Sequence, residues 1–153
     1  CRIVESVVEV NAAQKARMVK KIRSALGGSE AGKTIAVLGL TFKPETDDMR
    51  DSPSIAIIPT LVDKGASVRA HDPQGEEEAR PLLPESVSYY HDVYDTVTGA
   101  DAVVLMTEWN EYRGLNLDRV LELMKGEVFV DLRNVYEPGA MEGKGFAYAG
   151  VGR

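Results

Sequence analysis

The stretch 34-TIAVLGLTFKPETDDMRDSPS-54 decides how the rest of the chain is read. Its first seven residues are apolar at nearly every position, as in a strand buried on both faces of a parallel sheet. Its end reads as a helix start. Pro53 suits the first helical position, where no backbone N–H is needed, and Ser52 or Asp51 supplies the capping oxygen. Between strand and helix lie Lys43 and Arg50 among Glu45, Asp47, Asp48 and Asp51, two basic against four acidic residues, a formal balance of −2. A strand passing through a polar loop into a helix opens a βαβ unit.

The same alternation runs on toward the C-terminus. A helix over 54–64 closes at Gly65, and Ser67–Ala70 is a strand ending in His71-Asp72-Pro73. A short helix is expected over 74–80, a short strand over 87–90 and a weak helix over 92–98. Ala102–Met106 is a buried strand, 117–124 a helix, 128–132 a strand, and 146–148 a last edge strand. Upstream, apolar residues from Ile3 to Leu26 recur at spacings of mostly three, four and seven, so a helix is expected from Arg2 to about Leu26, stopped by Gly27-Gly28. At 1.5 Å per residue it is about 37 Å long. Such a helix bridges domains, pairs with a partner or, in its second half, lies on the sheet. The expected architecture is a doubly wound, Rossmann-like α/β domain with a parallel sheet over residues 29–153, preceded by an interdomain and dimerisation helix over 1–28.

Composition limits the function classes. The 153 residues are one domain's worth of chain, and the net charge of −6, with no basic run, speaks against a general nucleic-acid binder. No apolar stretch approaches the roughly 18 residues that span a bilayer, no signal peptide is visible, and cytoplasm is the expected compartment. Cys1 is the only cysteine, so neither an intrachain disulfide nor a cysteine metal cluster is available. The chain begins without Met inside a helical pattern, as expected of a piece of a longer protein.

In an open α/β sheet, ligands bind beyond the carboxyl ends of the strands. Four loops meet there: 41–51, 71–75, 107–114 and 133–138. After the first strand a dinucleotide fold carries G-x-G-x-x-G, but Gly39 has no second or third glycine behind it, so the backbone cannot approach a pyrophosphate closely. Lys43 could meet a phosphate as a point charge, aided by the helix N-terminus near Pro53, while Asp51 caps and Asp47 and Asp48 hold Arg50. A solvated, capped loop fits the residues equally. A calcium loop does not fit, lacking glycine at its sixth position and glutamate at its twelfth. Arg133 ends a strand, where a guanidinium fork can grip a phosphate or a sugar diol, or pair with Asp131 or Glu137. Asp72 stands where such folds hold a ribose, and also begins an ordinary Asp-Pro turn. Trp109 either stacks on a base or covers the sheet edge. His71 and His91 have no Ser or Cys partner for a triad and no metal-ligand spacing.

The block GLTFKPETDDMRDSPS resembles the G-x-x-F-K-x-x-T-x-D-x-R-x-S-P-S signature of the UDP-glucose/GDP-mannose dehydrogenase family. VEVNAAQKARMV is similar to that family's V-N-x-x-Q central helix. HDP, TEW and DLRNVY recur in the family's order, and FAYAGVGR is similar to its end. The resemblance spans nearly the whole chain. It implies enzymes that oxidise a sugar C6 alcohol to a carboxylate in two steps, with two NAD molecules and a covalent thiohemiacetal on a cysteine, and a C-terminal Rossmann-like domain that binds the nucleotide of the UDP-sugar. By resemblance, Phe42 and Lys43 contact the substrate, Arg133 contacts the sugar nucleotide, Arg50 reaches across a cleft to NAD, and the first helix joins two domains and forms a homodimer core.

The family's catalytic cysteine lies in G-G-x-C-F-P-K-D, upstream of the central helix. Cys1 is followed by Arg-Ile-Val and lacks that context, so it is not the nucleophile, and no catalytic residue is expected in this chain. The G-x-G-x-x-G domain that binds NAD is expected upstream, and the chain by itself is expected to be inactive. GDP-mannose and UDP-N-acetylhexosamine remain alternative substrates, and a free-standing nucleotide-binding module is the alternative outside the enzyme class.

Overall fold

The computed structural model describes residues 2–41, 49 and 52–152, with side chains of the first helix described from residue 13 onward. Phe42, Lys43 and Arg50 lie outside the described residues, as does Cys1. Helix α1 spans Arg2–Ala25 and strand β1 Thr34–Leu38. Helix α2 is Pro53–Asp63 and β2 is Ser67–His71. Then follow α3, Glu76–Ala79, a 3-10 turn at Arg80–Leu82, β3 at Ser88–Tyr89 and α4 at Val93–Val97. Beyond them lie β4, Ala102–Leu105, α5, Asn110–Arg113, and α6, Leu117–Leu123. Strand β5, Val128–Asp131, helix α7, Pro138–Lys144, and β6, Ala147–Gly150, complete the chain.

The strands form one parallel sheet in the order β3-β2-β1-β4-β5-β6. This is the doubly wound order, with its reversal between β1 and β4. The alternation of β1 divides the core in two. Ile35 and Val37 join Val19, Ile22, Ile57, Ile58 and Leu61 of α1 and α2 on one face. Ala36 and Leu38 join Val93, Val97, Tyr112, Val120 and Met141 on the other. Each of Ile35 to Leu38 is wholly buried, so β1 is the sheet's central spine. Burial of a side chain of this size contributes about 1.5–3 kcal/mol.

The second half of α1 lies on the sheet, packing on α2, β5 and β6. Its Lys21 ammonium donates to the Gly150 carbonyl at the end of β6. Arg23 grips the buried Glu30 carboxylate in a fork, Nε to Oε2 at 2.9 Å and Nη2 to Oε1 at 3.0 Å, tying the helix end to the turn before β1. Ser52 caps α2 and Pro53 opens it, as the sequence predicts.

Two short helices depart from the sequence reading, which has a loop over 107–114 and no element between 138 and 146. Helix α5 is one turn long, too short for periodicity to register. Helix α7 carries its own start signals: Pro138 at the first position, and a Glu137 carboxylate that accepts from Ala140 N at 2.7 Å. Strand β1 ends two residues early because Gly39 turns to φ +95°.

Gly39 is required by space as well as by conformation. A Cβ there would stand 2.5 Å from Thr107 Cβ and 2.6 Å from Thr107 N. The expected outcome of Gly39→Ala is a loss of roughly 2–4 kcal/mol in denaturant unfolding, from combined backbone and packing strain. Gly143→Ala, in α7 with open space around its Cβ position, should be neutral or stabilising by up to about 1 kcal/mol.

Candidate nucleotide-sugar site at the carboxyl edge of the sheet

The described loops at the carboxyl edge are held together by carboxylates that accept from backbone N–H groups. Asp72, just past β2, is half-buried and engages both of its oxygens. Oδ2 accepts from Leu40 N at 2.7 Å, Thr41 N at 3.1 Å and the Thr41 hydroxyl at 3.3 Å. Oδ1 accepts from Gln74 N at 2.9 Å and Gly75 N at 2.6 Å. Five donors converge on one side chain, so Asp72 begins the turn that the sequence predicts and also ties down the root of the β1 loop, with its lone pairs committed to its own chain.

The root of the β1 loop is fixed from the other side too. The buried Thr107 hydroxyl donates to Thr41 O at 2.7 Å. Leu40 O accepts from the Ser54 hydroxyl at 2.7 Å and from that of Ser52. At the topological switch point, between β1 and β4, the crevice floor is therefore filled by Thr107 against Gly39. A dinucleotide pyrophosphate has no glycine cradle there and the ribose-position acid is occupied. The described residues do not fit NAD in the manner of a dinucleotide-binding fold.

Beneath this floor, His71 and Tyr112 are buried together with ring centroids 5.6 Å apart. The Tyr112 hydroxyl lies 2.9 Å from His71 Nδ1 and 3.0 Å from His71 O, and His71 Nε2 donates to His91 O at 3.1 Å. Burial first, then the charges of Asp72 and Glu111, hold the Tyr112 hydroxyl well above the usual tyrosine range. Tyr112 thus serves as a neutral packing and hydrogen-bonding group beside His71. Trp109 is 4% exposed and belongs to the core. Of its two readings, it covers the sheet edge.

The β5 loop has its own clamp. Asp131, wholly buried, accepts from Arg133 N at 3.1 Å, Tyr136 N at 2.9 Å and the Tyr148 hydroxyl at 2.7 Å. Asn134, at φ +52°, exchanges two 2.9 Å hydrogen bonds with the backbone of Val151. Arg133 is thereby fixed at its main chain while its guanidinium stands in the open. Its Nη2 pairs with Glu108 Oε1 at 2.9 Å, the side chains being 37% and 32% exposed. The sequence reading offered Asp131 or Glu137 as its ion partner. Glu137 caps α7 instead, and Asp131 takes only the Arg133 backbone.

The strand order defines a doubly wound α/β class of domain, in which ligands bind at the carboxyl edge of the sheet. The sequence profile of the UDP-glucose/GDP-mannose dehydrogenase family, UDP binding domain, matches residues 36–138. The chain belongs to that family. It is 49% identical to the UDP-glucose 6-dehydrogenase of Rhizobium meliloti (strain 1021), over 99% of this chain and 35% of that protein. It is 40% identical to a UDP-glucose 6-dehydrogenase of Bacillus subtilis (strain 168), over 99% of this chain and 33% of that one. Among solved structures, it superposes on a UDP-glucose dehydrogenase from Pyrobaculum islandicum with a TM-score of 0.79 at 34% identity, covering 98% of this chain and 32% of the other. A UDP-D-ManNAc dehydrogenase from Pyrococcus horikoshii superposes with a TM-score of 0.77 at 26% identity, over 95% and 32% of the two chains. The chain spans about a third of the length of the curated relatives it matches.

Tyr136 makes the β5 clamp sensitive to alkali. Its hydroxyl donates to Tyr112 O, and burial, with the Asp131 charge second, pushes its pKa from 10.0 to about 12. A folded-state value above the unfolded one contributes stability below pH 10 that is lost as pH rises through 12. The urea midpoint should fall across that window. Tyr136→Phe should shrink the fall, while Tyr112, shifted in the same direction, keeps part of it.

Proposed function

We propose that this chain is the nucleotide-sugar-binding part of an NAD-dependent nucleotide-sugar dehydrogenase that oxidises UDP-glucose to UDP-glucuronate in two steps. The observation that carries this reading is the 49% identity to a UDP-glucose 6-dehydrogenase over 99% of the chain. The partly exposed Arg133 on a fixed loop at the carboxyl edge supports it. In this reading Phe42, Lys43 and Arg133 contact the UDP-sugar. Arg50 reaches toward NAD, which is held by a domain outside this chain together with the catalytic cysteine. NAD supplies the hydride acceptor for the alcohol and aldehyde oxidations. This chain's residues bind and orient the sugar nucleotide. The resemblance also motivates a homodimer through α1, the division into a helix over 1–28 and a domain over 29–153, and a cytoplasmic enzyme of polysaccharide precursor synthesis. Among the described residues no helix is long and apolar enough to cross a membrane.

Calorimetry with UDP, GDP and NAD titrated separately tests the reading. UDP should bind, with GDP much weaker and NAD without measurable heat. Lys43→Ala and Arg133→Ala should each weaken UDP-glucose binding by roughly 1.5–3 kcal/mol, as for a lost charge-assisted contact, with little effect on stability. Preference for GDP would move the substrate to GDP-mannose, and unchanged affinity in both variants would remove the assigned site. NAD reduction by this chain alone with UDP-glucose would contradict the placement of the chemistry elsewhere.

A further inference from the structure

We infer that Glu108 and Arg133 act together as a subsite that reads a vicinal diol, with Glu108 accepting and Arg133 donating. This deepens, and rests on, the reading that the chain binds a nucleotide sugar. Four observations carry it. The pair bridges the loops after the adjacent strands β4 and β5, at 2.9 Å, on the ligand side of the sheet. Both side chains remain about one third open to solvent, at 37% and 32%. Among the described residues, three other acids at this edge are committed to donors of their own chain. Asp72 accepts five hydrogen bonds, Asp131 three and Glu137 caps α7, while the exposed Glu111 stands 3.7 Å from His71 Nε2. The backbone on either side is pinned, Glu108 lying between buried Thr107 and Trp109, and Arg133 between the Asp131 and Asn134 contacts.

The chemistry follows from what the pair leaves unused. A guanidinium carries five N–H donors, and one group, Nη2, is given to Glu108. The carboxylate keeps Oε2 and further lone pairs. The pair has no net charge, and a phosphate laid on Arg133 would meet the Glu108 carboxylate at short range. A sugar hydroxyl, by contrast, both donates and accepts. Two neighbouring hydroxyls can receive N–H groups from Arg133 and give a proton to Glu108 without repulsion. A lone arginine satisfies only the accepting half of a diol. Since both loops are held before any ligand arrives, the geometry is preorganised.

A nucleotide sugar offers such a diol on its ribose and on its hexose. Calorimetry on the full chain and on Glu108→Ala and Glu108→Gln, with UDP-glucose, UDP and 2′,3′-dideoxy-UDP, separates them. Thermal melts of these exposed-site variants serve as the folding control. If the ribose is read, the variants lose about tenfold in affinity for UDP and UDP-glucose and nothing for the dideoxy ligand. If the hexose is read, the loss is confined to UDP-glucose. Equal loss for all three ligands, no change for any, or tighter binding once Glu108 is removed overturns the inference. The last outcome would mean that Arg133 grips phosphate. Wild-type protein that binds none of the ligands overturns the functional reading together with this inference. Wild-type binding with unresponsive variants overturns this inference alone.

Discussion

The Asp72 carboxylate is the contact on which the ligand edge depends. Two oxygens take five donors from two loops, so the end of β1 and the turn after β2 behave as one piece. Without this acceptor, the N–H groups of Leu40, Thr41, Gln74 and Gly75 would need new partners, at about 1–3 kcal/mol for each one left buried and unpaired. The packing repeats the constraint. A Cβ on Gly75 would meet Thr41 Cγ2 at 2.4 Å, and one on Gly39 would meet Thr107. The backbones close up because glycine lets them, and the carboxylate occupies the space where a free acid would otherwise face solvent.

The consequence is a Rossmann strand order whose usual cofactor position is used internally. In a dinucleotide fold the first loop opens through glycines and the acid after the second strand waits for a ribose. Here the root of the first loop, at Gly39–Thr41, packs on Thr107, and the acid is bonded within its own chain. In the proposed reading, ligand contacts fall to side chains that stand above fixed backbones. Among the described residues, Arg133 and Glu108 have that character. The β5 loop repeats the design with Asp131 in the place of Asp72 and Tyr148 reaching over from the edge strand. In that reading one topology supports a second kind of nucleotide site, because topology dictates where loops meet and the side chains dictate what they hold.

The strand-helix alternation was legible in the sequence because buried parallel strands are apolar at successive positions and their helices carry local caps. The runs 34–38 and 102–105 and the Ser52-Pro53 start are local signals and survive folding unchanged. Helix α7 was equally local, and the Glu137-Pro138 signal was there to be read. The site was legible only as an address. That Arg133 lies at the ligand edge follows from its place after a strand. That its partner is Glu108, 25 residues away, and not Asp131 or Glu137, depends on β4 and β5 being neighbours in register. The occupation of Asp72 by Leu40 and Thr41, 32 and 31 residues away, likewise needs β1 and β2 side by side. Spacing along a chain carries no trace of such pairs. For Phe42, Lys43 and Arg50 the family resemblance remains the source of their assignment.

The measurement that bears most directly on this account is a crystal structure of the chain with UDP-glucose bound. The account predicts that Asp72 keeps its hydrogen bonds to Leu40, Thr41, Gln74 and Gly75 while the ligand rests on Arg133 and Glu108. An Asp72 carboxylate released from the β1 loop and bonded to the ligand's ribose would contradict it.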